Sequence, residues 1–208
     1  FIENAIIEAK KRNPDLGGSF ADVFSGTGVV SRMARKHFKR IYINDLEAYS
    51  AFINCAYHKN RSDINKKEYE DEIISLRSRI ENNLRDGFIT ELYAPKDEEK
   101  IEKEDRVFYT RRNAKYIDTA RQLIEEGNYK YSDLLLASLI QKSSVHTNTS
   151  GVFKGFYKDQ NGIGQFGGSG RNALKRIKTN IHIEPLVFSE FEREVSVFQL
   201  DAEDFLEK

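Results

Sequence analysis

Residues 19–28 read Ser-Phe-Ala-Asp-Val-Phe-Ser-Gly-Thr-Gly, and residues 41–45 read Ile-Tyr-Ile-Asn-Asp. An apolar strand runs into a Gly-x-Gly turn, and about twenty residues on a second apolar strand ends on an acid. No other pairing in the chain restricts the fold as much. It is the layout of a cofactor site at the carboxyl edge of a doubly wound parallel sheet. Glycines let the backbone approach a ligand closely, and the acid can accept hydrogen bonds from both hydroxyls of a ribose. The residues after the turn exclude two commoner glycine loops. Gly26-Thr27-Gly28 continues as Val29-Val30-Ser31, so the third glycine of a dinucleotide fingerprint is missing. No Lys-Ser or Lys-Thr comes next, so the turn is not a phosphate loop.

What remains is Asp22-x-Phe24-Ser25-Gly26-Thr27-Gly28. It closely resembles motif I of S-adenosylmethionine-dependent DNA methyltransferases of the Dam-like adenine-N6 class. Asn44-Asp45 resembles the next motif of that family. The resemblance implies an α/β fold: a Rossmann-like methyltransferase sheet with an inserted helical, DNA-facing subdomain. It also implies that the glycine turn passes under the methionine part of S-adenosylmethionine and that the acid holds the ribose. Asp22, Phe24, Ser25, Gly26, Thr27, Gly28, Asn44 and Asp45 are then cofactor-binding residues. An ordinary glycine-rich strand-to-helix turn with a solvated Asp beyond it is the competing reading.

The rest of the chain fits this frame. Phe1 to Arg12 puts Ile2, Ala5, Ile6 and Ala9 on one helical face, and Asn13-Pro14 and Gly17-Gly18 end it. Phe20 to Phe24 reads as the first strand, with Thr27 placed to cap the helix after it. Arg40 to Asn44 is the second strand, and a helix is expected from about Ala48 to His58. Strand, helix, strand, helix in that order implies a parallel sheet. Residues 66–86 read as a long polar helix, 96–105 as a solvated charge run, 106–126 as a helix and 131–144 as an apolar helix buried on more than one side. Such a helical stretch exceeds what a simple nucleotide-binding sheet needs. The expected domains are therefore a cofactor-binding segment at 1–60, a helical insertion with a basic, glycine-rich DNA-facing region at 61–190, and a return strand at 191–208.

Net charge is zero, but its distribution is not even. Residues 63–105 hold eight Lys/Arg against fourteen Asp/Glu, whereas 141–188 hold seven against two. A basic segment after an acidic one suits a polyanion-facing patch. Within it, Asn148-Thr149-Ser150-Gly151-Val152-Phe153 resembles the family's Asn-x-x-Gly-x-Phe segment, which lies at the DNA interface. Asn148, Lys154, Phe156, Tyr157, Lys158, Arg171 and Lys175 are the expected DNA-binding residues, lysines on phosphates and aromatic groups wedging or stacking. A hairpin with solvated lysines is the alternative. Residues 155–170 carry six glycines and read as a long permissive loop, with a short basic helix at 171–178.

Glu194 to Leu200 is a third strand ending at Asp201. By resemblance to the third motif, Asp201 would take the cofactor's adenine amine and Ala202 would line its ring. Asp201 also reads as the N-cap of a helix at 203–206, and a cap carboxylate can serve both ends. His146 and His182 have no partner at metal-ligand spacing, so no metal is expected. The single cysteine, Cys55, excludes an internal disulfide, suits a cytoplasmic setting and reads as a buried small hydrophobe. No apolar run approaches the roughly 20 residues of a membrane span.

One expected segment is missing. The family carries Asp-Pro-Pro-Tyr, whose polar groups and ring hold a flipped adenine. The only prolines here are Pro14, Pro95 and Pro185. No catalytic residue is therefore assigned, and the 208 residues are expected to be a fragment that does not methylate DNA alone. The leading function is site-specific adenine-N6 methylation of double-stranded DNA from S-adenosylmethionine, in a restriction–modification system. The alternatives are an RNA or small-molecule methyltransferase, and a non-catalytic DNA-binding module of similar fold.

Overall fold

The computed structural model describes residues 1–149, 155–168, 170 and 173–208. The chain divides into two compact units, one built from Phe1–Lys66 with Leu186–Lys208 and the other from Lys67–Pro185.

In the first unit, β1 (Ser19–Asp22), β2 (Arg40–Asn44) and β3 (Glu194–Phe198) form a parallel sheet in the order β1-β2-β3. The register pairs Phe20 with Ile41 and Ile41 with Val195. Alternation then puts Phe20, Ile41, Ile43, Val195 and Val197 on one face. Against them pack Ala34 from α2 (Val29–Ala34), Phe38, and Ile6 from α1 (Ile2–Arg12). The helix α3 (Ala48–Tyr57) comes after β2, and α9 (Ala202–Leu206) after β3.

Several local expectations need correction. β1 stops at Asp22, because the chain turns to place the glycines. Thr27 does not cap α2; Gly28 is the N-cap residue, without a side-chain bond. Cys55 is exposed, since Ile53 and Ala56 take the buried phase of α3. The apolar face of α1 is covered only lightly, and none of its residues is buried.

Arg35 ties the first unit together. Its guanidinium is fully buried and donates to the carbonyls of Phe191 (2.9 Å) and His58 (2.7 Å) and to Asn60 Oδ1 (2.5 Å). A buried charge is tolerable when its donors are engaged in this way.

The second unit is helical: α4 (Lys66–Glu81, which begins one residue before it), α5 (Phe88–Tyr93), α6 (Arg111–Glu126), α7 (Ser132–His146) and α8 (Leu174–Lys178). Tyr69, Ile73, Leu76 and Ile80 recur at helical spacing and form the buried stripe of α4. α6 and α7 bury Ala114, Tyr116, Leu123, Leu134, Leu135 and Leu139. α5 lies in a stretch with no expected helix. Asp118 of α6 makes it possible: its carboxylate accepts from Ile89 N (2.9 Å) and from Thr90 N and Oγ1 (2.7 Å each). A long-range cap thus satisfies orphan donors of a six-residue helix.

The glycine-rich loop is hydrogen-bonded over its described part. Lys158 bridges Gly164 in antiparallel fashion, and Thr149 bridges Phe156. Gly164 presses onto Val107, where an added Cβ would lie 2.3 Å from a methyl group. Among the described residues, no helix is long and apolar enough to cross a membrane.

Candidate cofactor site

The carboxyl ends of β1, β2 and β3 bring the sequence motifs together. Asn44 does the stitching. It is 1% exposed, its Nδ2 donates to Val23 O (3.2 Å) and Leu200 O (3.0 Å), and its Oδ1 accepts from Leu200 N (3.1 Å). Both ends of its carboxamide are engaged by neighbouring strands. The side chain of Asn44 is thereby engaged in joining the strand ends.

The turn leaves β1 and folds tightly. Ser25 N donates to Asn44 O (3.0 Å), and Gly28 N donates to Ser25 O (2.8 Å). Gly26 and Gly28 both take positive φ, +51° and +70°. At Gly28 space as well as conformation demands glycine, because a Cβ would sit 1.8 Å from Asn54 Oδ1 and 3.3 Å from His58 Nε2. At Gly26 nothing lies within 4 Å of that point, so one side of the turn is open.

Asp45 stands beside this opening. Its Oδ2 accepts from Gly26 N at 2.7 Å and its Oδ1 from Glu47 N at 3.0 Å. A carboxylate has about four acceptor positions, and the described residues engage two of them. The segments next to the turn and after β2 leave large apolar side chains exposed: Phe24 (80% exposed), Leu46 (65%), Val29 (60%) and Tyr49 (53%). Apolar groups left in water on the same segments as an acid with spare acceptor positions suit a ligand with an apolar ring and polar hydroxyls.

Asp22 is turned toward α2, accepting from Ser31 Oγ at 2.5 Å. Thr27 offers its carbonyl to Arg32 (2.9 Å), whose guanidinium lies 4.6 Å from the ring centre of Tyr57. Asp201 is exposed and caps α9 through Glu203 N (2.9 Å), with Ala202 next to it. The cap bond uses one of the two carboxylate oxygens. Beneath the turn, His58 is buried; burial, then Arg35 and Arg32, pushes its pKa down to about 3.

Sequence reasoning missed Ser50 and Asn54. Ser50 Oγ donates to Gly26 O, and Asn54 Nδ2 donates to Gly26 O and Ser25 Oγ, both at 3.1 Å. The signal was present: two polar residues four apart on an otherwise apolar helix.

In the helical unit the expected DNA-facing residues divide. Asn148 is fully buried; Nδ2 donates to Val107 O (2.6 Å) and Gln165 O (2.9 Å), and Oδ1 accepts from Gly167 N (3.1 Å). Phe156 packs edge-to-face on Phe108 at 5.1 Å, and Tyr157 lies against Gly168. Lys158 and Lys175 are exposed. Lys154 and Arg171 lie outside the described residues.

A family model, D12 class N6 adenine-specific DNA methyltransferase, matches residues 5–165. Type II methyltransferase M.NlaIII of Neisseria lactamica is 29% identical over 194 residues, 90% of this chain and 51% of the relative. Type II methyltransferase M.CviAII of Paramecium bursaria Chlorella virus 1 is 28% identical over 160 residues, 73% of this chain and 44% of the relative. Modification methylase LlaI of Lactococcus lactis subsp. lactis is 30% identical over 169 residues, 74% of this chain and 25% of the relative. The chain thus spans about half, or less, of the length of the curated relatives it matches. No solved structure matches it significantly.

Proposed function

The chain belongs to the D12 class of N6 adenine-specific DNA methyltransferases, and from that premise we propose that its first unit binds S-adenosylmethionine for methylation of adenine in double-stranded DNA. The observation that carries this is the half-engaged Asp45 beside an open glycine turn. S-adenosylmethionine supplies an electrophilic methyl group when bound. The chain's own residues hold and orient it. Asp45 offers its two remaining acceptor positions to the ribose hydroxyls, and the Ser25–Gly28 backbone backs the methionine part. Phe24 and Leu46 shelter the adenine ring, while Asp201 and Ala202 receive its edge. Asp22 and Asn44 fix the turn and the third strand's end.

The helical unit is proposed to face the duplex with Lys154, Lys158, Arg171 and Lys175. Exposed lysines at 158 and 175 and the excess of basic residues in 141–188 support that assignment. Asn148, Phe156 and Tyr157 serve there by shaping the hairpin. Two relatives named type II methyltransferases favour a modification partner of a restriction enzyme. No Asp-Pro-Pro-Tyr occurs in the sequence, and the grip on the target amine is assigned to no residue.

Calorimetry with S-adenosylhomocysteine tests the donor site. Asp45→Ala should lose up to two charge-assisted hydrogen bonds, each worth about 1.5–3 kcal/mol at most. Equal affinity of wild type and Asp45→Ala would remove the assignment.

A further inference from the structure

α3 is apolar apart from a pair of polar residues on one face. Ser50 and Asn54 stand four residues apart, both fully buried. Both reach the same atom. Ser50 Oγ donates to the carbonyl of Gly26, and Asn54 Nδ2 donates to that carbonyl at 3.1 Å. Asn54 Nδ2 also donates to Ser25 Oγ (3.1 Å) and to Ser50 O (3.0 Å). The orientation of the carboxamide is fixed by this company: turned over, its oxygen would face two carbonyls. Among the described residues its own Oδ1 is buried without a partner, pressed toward Gly28. A buried acceptor without a partner is costly, and its retention is explained if the amide's donors are what the fold uses.

Gly26 is therefore held from both sides. α3 grips its carbonyl, and its N–H donates to Asp45 Oδ2 at 2.7 Å. That bond fixes the direction in which the rest of the Asp45 carboxylate points. We propose that Ser50 and Asn54 are positioning residues for the ribose contact, acting through Gly26 on Asp45, an inference that rests on the donor-site reading above. They touch no ligand atom themselves. Their effect is to hold the acceptor positions of Asp45 in one orientation, so that ribose hydroxyls meet them without reorganisation.

The measurement is the affinity of two probes by calorimetry: S-adenosylhomocysteine and an analogue whose ribose lacks both hydroxyls. Asn54→Ala should weaken S-adenosylhomocysteine on the order of 10-fold and the analogue by less than about 2-fold. Ser50→Ala, a small truncation that keeps the amide, should show the same pattern at roughly 3-fold and guards against poor folding of the Asn54 variant. Asp45→Ala with Asn54→Ala should bind no worse than Asp45→Ala alone. A purely structural role would weaken both probes equally, and additive losses would likewise overturn the inference. If wild type and Asp45→Ala differ as expected but Ser50→Ala and Asn54→Ala bind like wild type, only the positioning role fails. If wild type does not bind S-adenosylhomocysteine, or does not distinguish the probes, the donor-site reading fails and this inference with it.

Discussion

The turn after β1 and the hairpin region after α7 are both rich in glycine, yet they hold their polar groups differently. Around the turn, Asp45 keeps unused acceptor positions, Gly26 faces open space and Phe24 stands 80% exposed. In the hairpin region, Asn148 is fully buried and its side chain makes three hydrogen bonds to described residues, Gly164 presses on Val107, and Phe156 packs on Phe108. One region leaves acceptor positions and backbone open, and the other consumes its polar groups within the loop. Residues of family-like motifs therefore differ in how far the fold engages them. Side-chain engagement, not motif membership, separates the two regions.

That contrast is open to attack, most severely at Gly28. Gly28→Ala forces an alanine to φ +70° and places its Cβ 1.8 Å from Asn54 Oδ1. Left-handed backbone and collision together should destabilise the first unit by about 3 kcal/mol, read as a lower denaturant midpoint. An unchanged midpoint would show that the turn is not packed on α3. Next in size, Asn148→Ala strands the carbonyls of Val107 and Gln165 and the N–H of Gly167. It should cost about 2 kcal/mol of stability while leaving S-adenosylhomocysteine affinity unchanged. Lost affinity in that variant would erase the distinction between the two regions.

Acid offers a third probe. His58 is neutral when folded, its pKa held at about 3 against an ordinary 6.5. The unfolded imidazole takes up a proton as pH falls through 6.5 and the folded one does not. The stability from the neutral, buried ring is fully present above pH 6.5. It is lost as pH falls toward 3, by about 1.4 kcal/mol per pH unit. His58→Phe should flatten the slope of melting temperature between pH 6.5 and 5, and an unaltered slope would rule His58 out as its source. The smallest effect is electrostatic. Lys158→Ala with Lys175→Ala should lower the log–log salt slope of duplex binding by about 0.9 per lost phosphate contact. A slope identical to wild type would place these lysines away from DNA.

The parts visible in the sequence were those set by neighbours along the chain. β2 lies at 40–44 as its apolar run predicts, and the glycines fall where strand must become helix. Parallel order was legible because short strand–helix–strand connections leave little choice. Long-range partners were invisible. α5 exists because Asp118, 28 residues from Thr90, caps it. Nothing in the local sequence marks the partners of Arg35 or Asn54, and only the folded chain brings His58, Asn60 and Gly26 to them. Cys55 read as buried from its apolar neighbours, although its helical phase turns it outward. Asn148 was recognisable as a motif residue. Its role was not, since its partners Val107 and Gln165 lie on both sides of it in sequence.

Amide hydrogen exchange with and without S-adenosylhomocysteine tests most directly which region holds the donor. Protection should appear in the turn at 24–28, at the end of β2 and the start of α3 (45–50), and around 200–203, with little change in 155–168. Protection confined to the helical unit, or no change at the three strand ends when the ligand is bound, would contradict the assignment.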